Sequence, residues 1–258
     1  MNGEAYPRSP WLRYFPSPRP GSAVTIVCCP HAGGSASVFR DWSMSLPHWL
    51  DVWGVQPPGR ESRLAEPPYR EMTRLVADLV TAVVPILPDH FALFGHSLGA
   101  LIAFEAAREM ERRGGPAPRT VIVSGCPAPP SRRRLEYNPK ATDDELLQRI
   151  RDLGGSPESA LGHPELRQLI LTALRTDLEL AESYEFVPGS PLNCPLVAVA
   201  GDADPVVPAD GLVDWRFQTT GAFTSRRFRG GHFFFLSKES HAGLTVLLAE
   251  VLRPIRSL

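Results

Sequence analysis

The chain has 258 residues, 43% of them hydrophobic and 21% charged, with 27 lysines and arginines against 28 aspartates and glutamates. That balance gives no global field for a polyanion, so nucleic acid is not an expected partner, and no run reaches the roughly 18 apolar residues of a membrane span. About 250 residues suit one α/β core, so one domain over 1–258 and a monomer are expected.

Met1 to Pro20 carries five prolines and no apolar run, so neither a signal peptide nor an anchor is expected there. Beyond it, short apolar or β-branched runs at Val24–Cys29, Asp51–Val55, His90–Phe94, Thr120–Ser124, Leu196–Ala200 and Thr224–Phe228 alternate with segments of helical period. This is the pattern of an α/β fold, a mostly parallel sheet flanked by helices. Between the second and third strands, Met72, Leu75, Val76, Leu79, Val80 and Val83 fall on one helical face. A helix over Leu98–Arg112 follows the third strand directly, and Ser237 caps a last helix with Leu244, Leu247, Leu248 and Val251 facing inward. From about 131 to 191 the alternation breaks. Two helical stretches, Asp143–Leu153 and Pro164–Tyr184, read there as an inserted lid over one end of the sheet. Cys28, Cys29, Cys126 and Cys194 lie in or beside apolar runs and read as buried thiols of a cytoplasmic protein, not as a disulfide or zinc framework.

The third strand runs into Gly95-His96-Ser97-Leu98-Gly99 and straight into a helix. Gly-x-Ser-x-Gly between strand and helix is the nucleophile elbow of α/β hydrolases, in which a strained serine stands above the sheet and the glycines leave room for the crossing backbones. Read as a tight turn with a capping serine, the same residues would carry no chemistry. A serine nucleophile needs a base and the base an orienting acid, in the chain order Ser, Asp or Glu, His. His232 sits in a glycine loop between the last strand and last helix and is the expected base, while His241, inside the helix, is expected to pack. Asp204 follows the preceding strand in Gly201-Asp202-Ala203-Asp204-Pro205 and is the expected acid, with Asp202 a turn residue.

Two backbone donors are expected to hold an oxyanion: Leu98 at the start of the helix, and Ala32 in the small-residue loop Pro30-His31-Ala32-Gly33-Gly34-Ser35. His31 is expected to order that loop, and His96 to line the site beside it. Both are candidate substrate-binding residues. The seven histidines form no H-E-x-x-H, and neither a dinucleotide fingerprint nor a phosphate-loop lysine occurs, so no metal or cofactor is expected.

Pro30-His31-Ala32-Gly33-Gly34-Ser35, the elbow, Gly201-Asp202-Ala203-Asp204-Pro205 and Gly231-His232-Phe233-Phe234 together resemble the type II thioesterases of polyketide and nonribosomal peptide assembly lines. The resemblance spans roughly Trp11 to Leu252. It implies an editing hydrolase that removes stalled acyl groups from the phosphopantetheine arm of acyl or peptidyl carrier proteins. By the same resemblance the triad falls on Ser97, Asp204 and His232, the oxyanion donors on Ala32 and Leu98, and a mobile lid on the helical insertion. Arg132-Arg133-Arg134 and Arg226, Arg227 and Arg229 read as solvated charge, or else as a rim for an acidic carrier. The triad alone is equally compatible with a general esterase, a lipase-like hydrolase, an acyltransferase or a fatty-acid-releasing thioesterase. An inactive hydrolase fold used for binding would require a missing triad member.

Overall fold

Strands that are apolar on both faces need cover on both sides, and this chain supplies it with helices. The computed structural model describes residues 9–15, 23–132, 137–154 and 162–253. Seven strands form one sheet: β1 (Leu12–Phe15), β2 (Val24–Cys29), β3 (Leu50–Val55), β4 (Phe91–His96), β5 (Val121–Ser124), β6 (Leu196–Gly201) and β7 (Phe223–Phe228), in the order β1-β3-β2-β4-β5-β6-β7. All neighbours are parallel except β1, which runs antiparallel to β3.

Six of these strands coincide with the expected runs. β4 continues two residues beyond the expected end, as far as His96, because Gly95 and His96 still pair with Val123 and Ser124 of β5. β1 was not expected. It is a four-residue edge strand whose middle residues are half-buried, and Pro10 precedes it, a position where the missing N–H breaks no ladder.

Alternation along the strands sorts side chains between two cores. Val27, Cys29, Trp53, Val55, Phe91 and Leu93 face α2 (Met72–Val83) and α3 (Leu98–Arg112). Ile26, Cys28, Leu50, Val52, Ala92 and Phe94 face α1 (Trp42–Ser45) and α6 (Lys238–Leu252) on the other side. The six apolar residues that define the expected face of α2 are its six buried ones. Ser237 caps α6 by accepting from the Ser240 N–H, as expected.

Between β5 and β6 lie α4 (Asp143–Leu153) and α5 (Pro164–Ser183). Thr142 and Glu145 form a reciprocal capping box that starts α4, and Pro164 occupies the first turn of α5. The two helices share a third, smaller apolar cluster of Tyr137, Leu146, Leu147, Leu171, Leu174 and Leu178, which Ala32 joins to the end of the sheet. Arg133 and Arg134 lie outside the described residues. No helix among the described residues is long and apolar enough to cross a membrane.

Candidate active site

β4 ends in the elbow. Ser97 has φ 56° and ψ −117°, a strained conformation for a side-chain-bearing residue, and its N–H donates to the Ser124 carbonyl at 2.7 Å while its carbonyl accepts from Ala100. The flanking glycines are sterically obligatory. A Cβ on Gly95 would lie 1.9 Å from the Gly99 carbonyl oxygen, and one on Gly99 would lie 2.1 Å from that of Cys29. The elbow is thus pressed between its own helix and the end of β2, leaving Ser97 half-buried at the head of α3.

The acid and base come from the loops after β6 and β7. His232 and Asp204 are both buried, and His232 Nδ1 lies 3.1 and 3.0 Å from Asp204 Oδ1 and Oδ2. A carboxylate only accepts, so Nδ1 donates to it, and in the neutral imidazole Nε2 is the nitrogen left as acceptor. The Val206 N–H donates to Asp204 Oδ1 at 2.9 Å, which steadies the carboxylate. Asp202 is a turn residue, accepting from the Gly230 N–H at 2.8 Å. Arg227 donates to the carbonyls of Gly201, Val207, Pro208 and Ala209, so it braces the acid loop and is not a free rim charge. His241 packs its ring on Trp42 and meets Ser45 Oγ at 2.7 Å, remote from this chemistry.

Ser97 and His232 line one cavity of about 90 Å³ with His31, Ala32 and Gly33 on one side. Ile150 and Leu153 of α4, Ile170, Leu174 and Leu178 of α5, and Val206 and Phe233 make the rest of the wall mostly apolar, with Arg149 the one lysine or arginine among the described residues that line it. The imidazole's hydrogen bonds are the two to Asp204. Among the described residues no hydrogen bond joins it to Ser97 Oγ, as is common before substrate closes such a site. Neither the Ala32 nor the Leu98 N–H has an acceptor among the described residues; Ala32 lines the cavity, and Leu98 is buried at the head of α3. A much larger cleft of about 890 Å³ runs along α2, α3 and the end of α5. It is walled by charged residues such as Glu105, Arg108 and Glu109 and contains none of the expected catalytic side chains.

His31 orders its loop as expected, with Nδ1 on the Ala32 carbonyl at 2.9 Å, and it faces the cavity. The expectation that His96 lines the site needs correction. It is fully buried, it is not a cavity residue, and Nδ1 meets Ser124 Oγ at 2.9 Å. The reason lies in the elbow: His96 is the last residue of β4, so its side chain enters the core while Ser97 turns out. Its ring packs 4.8 Å from that of His232, and the left-handed Gly125 leaves room for both. His96 backs the base and has no face to offer a substrate.

Burial pushes the His31 pKa down to about 4 and that of His96 well below its usual value. Both are therefore neutral at pH 7 and place no charge against an imidazolium forming on His232. The linked stability has a definite sign. Between about pH 6.5 and 4 the unfolded chain binds protons that these folded histidines refuse, so stability falls as the pH is lowered through that window. Urea unfolding at pH 7.5 and 5 is expected to give the lower midpoint at pH 5, and replacing His96 by Phe should shrink the difference.

All four cysteines are buried thiols. Burial raises Cys29 and Cys126 to about 12, which leaves no thiolate to compete with Ser97 as nucleophile.

Sequence reasoning did not single out Arg60 and Asp177. They form a buried ion pair with Nη1 to Oδ2 at 2.6 Å and Nη2 to Oδ1 at 2.8 Å, beside the Ala32 loop. One signal was available. Ile170, Ala173, Leu174, Leu178 and Ala181 form a helical apolar stripe, and Asp177 is a carboxylate inside it, a position that demands a buried partner.

A family model for the thioesterase domain matches residues 24–252. Thioesterase PikA5 of Streptomyces venezuelae is 43% identical over 87% of this chain and 79% of its own length. Among solved structures, the type II thioesterase BorB from the borrelidin biosynthetic cluster superposes with a TM-score of 0.85 at 37% identity, covering 94% of this chain and 98% of that one. RedJ, a thioesterase from the prodiginine biosynthetic pathway in Streptomyces coelicolor, gives a TM-score of 0.83 at 38% identity over 89% of this chain and 86% of its own.

Proposed function

The chain belongs to the thioesterase family, among the type II thioesterases of polyketide and nonribosomal peptide pathways, and from that premise we propose that it frees carrier proteins of stalled acyl groups through Ser97, His232 and Asp204. The observation that carries this reading is the His232 imidazole, held by both oxygens of Asp204 in a cavity it shares with the strained Ser97. Nε2 takes the Ser97 proton as Oγ attacks the thioester carbonyl, and the oxyanion accepts from the Ala32 and Leu98 amides. Asp204 keeps the imidazole in the required tautomer and offsets its charge. The C–S bond then breaks and the pantetheine sulfur leaves as a thiol with the proton from His232. Water, deprotonated by the same nitrogen, attacks the acyl-serine and releases the carboxylic acid, returning the proton to Ser97. No step calls on a cofactor.

Helices α4 and α5 act as the lid, and their apolar side chains receive the acyl group. The intact mass of carrier proteins loaded with acetyl, propionyl or longer groups, incubated with wild type and with Ser97→Ala, tests the reading. Loss of the acyl mass with the wild type alone is the expected result. Retention on every carrier, with p-nitrophenyl esters hydrolysed in a Ser97-dependent way, would replace it with a general esterase.

The cluster Arg132 to Arg134 opens the β5–β6 insertion, and Arg132 itself donates to the Ala181 carbonyl of α5 at 2.9 Å. Neutralising all three is expected to lower kcat/KM on an acylated carrier roughly tenfold or more while sparing a small acyl-pantetheine, with a steeper salt dependence in the wild type. Equal loss on both substrates would remove the docking role.

A further inference from the structure

We infer that Arg60 and Asp177 are positioning residues that set the oxyanion loop from the lid helix, which makes α5 a working part of the oxyanion hole. The inference rests on the proposed role of the Ala32 N–H. Asp177 lies on α5 between Leu174 and Leu178, two walls of the cavity. Its Oδ2 accepts the Gly33 N–H at 2.7 Å as well as Arg60 Nη1 at 2.6 Å. Nη1 also donates to the Gly34 carbonyl at 2.9 Å, and Arg60 Nε to that of Pro58 at 3.3 Å. The loop is thus gripped by one amide and one carbonyl, from a helix more than 140 residues away in sequence and from the strand β3 exit.

The geometry acts on one peptide unit. Between Ala32 and Gly33, the carbonyl accepts from His31 Nδ1 at 2.9 Å and the N–H donates to Asp177 at 2.7 Å. A peptide plane bonded at both ends cannot rotate. The torsions of Ala32 are set by that plane, and they set where the Ala32 N–H points. Gly33 has φ 75°, which lets the chain turn there, and a Cβ would press on Leu174 of α5 at 3.3 Å. Without the Arg60–Asp177 pair the peptide loses its N–H anchor, and the Ala32 donor loses its fixed aim.

Buried ion pairs are poor sources of stability, because two charges must leave water, and apolar side chains of similar size commonly replace them without loss of the fold. This separates positioning from mere structure. In the double variant Arg60→Met/Asp177→Leu the pocket stays filled, and the Gly33 N–H and Gly34 carbonyl lose their partners. Its kcat on an acyl-pantetheine is expected to fall about 10²–10³-fold, the usual effect of losing one oxyanion donor, with KM within about threefold of wild type. A trifluoromethyl ketone analogue of the substrate, which forms a tetrahedral adduct with the serine, should bind weaker by the same factor. The corresponding amide, a ground-state mimic, should bind as in the wild type. Asp177→Asn retains a carbonyl for the Gly33 N–H and should recover part of both losses.

A folded double variant with wild-type kcat and ketone affinity would overturn the inference, as would equal weakening of ketone and amide. Failure of both variants to fold would make the pair structural and overturn it too. Failure of the underlying reading looks different: the wild type would then not form the ketone adduct, or Ser97→Ala would form it equally well.

Discussion

Ser97→Ala is expected to lower kcat for acyl-pantetheine hydrolysis by roughly 10⁶-fold, and His232→Ala by a similar factor, because neither attack nor proton transfer proceeds without its partner. The double variant should be little worse than either single one, since groups that act as a unit are strongly non-additive. Asp204→Asn should cost about 10⁴-fold with the fold intact: the amide can present a donor to Nδ1 and so favours the wrong tautomer. The starting geometry is specific, with His232 Nδ1 bonded to both Asp204 oxygens and to no other acceptor among the described residues. Single-turnover kinetics with each variant, together with fluorophosphonate labelling read by intact mass, measures the effect. Retention of labelling and turnover by Ser97→Ala would dismiss the assignment of the nucleophile.

Gly99→Ala is expected to be among the most damaging single-methyl changes in the chain, with Gly95→Ala beside it at the same elbow. The added carbon would sit 2.1 Å from the Cys29 carbonyl oxygen and 2.6 Å from that of Pro30, both backbone atoms of the β2 exit. Helix α3 would have to move away from the sheet, carrying Ser97 with it and opening the gap between the elbow and the Ala32 loop. A loss of more than about 4 kcal/mol is expected, the scale reserved for core overpacking with backbone displacement. For a chain of this length that corresponds to a fall in Tm of roughly 10 °C or more. Gly154→Ala supplies the contrast. It too alters a glycine, at φ 74°, but among the described residues nothing lies within 4 Å of the added carbon, so the left-handed backbone cost of about 1–2 kcal/mol dominates. Differential scanning fluorimetry on the two variants separates packing from conformation, and a Gly99→Ala protein as stable as Gly154→Ala would refute the steric account.

The parts of the site that sequence revealed are those whose chemistry is local. The elbow, the Asp204 turn and the His232 loop each follow a recognisable strand, and the two elbow glycines proved necessary for the contact that motif reading supposed. What escaped had one of three physical causes. β1 is too short to show a pattern, and its pairing with β3 supplies the order that its own four residues lack. His96 looked like a cavity residue because it adjoins Ser97, yet strand alternation turns neighbours to opposite sides, and β4 extends far enough to include it. Arg60 and Asp177 stand 117 positions apart, and no local period relates them. The intrusion of Asp177 into an apolar stripe signalled a partner without naming it.

The insertion that carries α4 and α5 leaves from the end of β5 and returns at β6, two strands that lie side by side in the sheet. Its stem is therefore narrow, and its length and sequence can drift without disturbing the register of the strands that present Ser97, Asp204 and His232. Selectivity for the acyl group and competence for hydrolysis can consequently be inherited almost separately, as a graft and a stock. Asp177 is the point where the two are joined. A lid exchanged between relatives should transplant its preference for acyl chains when it brings a carboxylate at that place on its second helix, and should arrive catalytically mute when it does not.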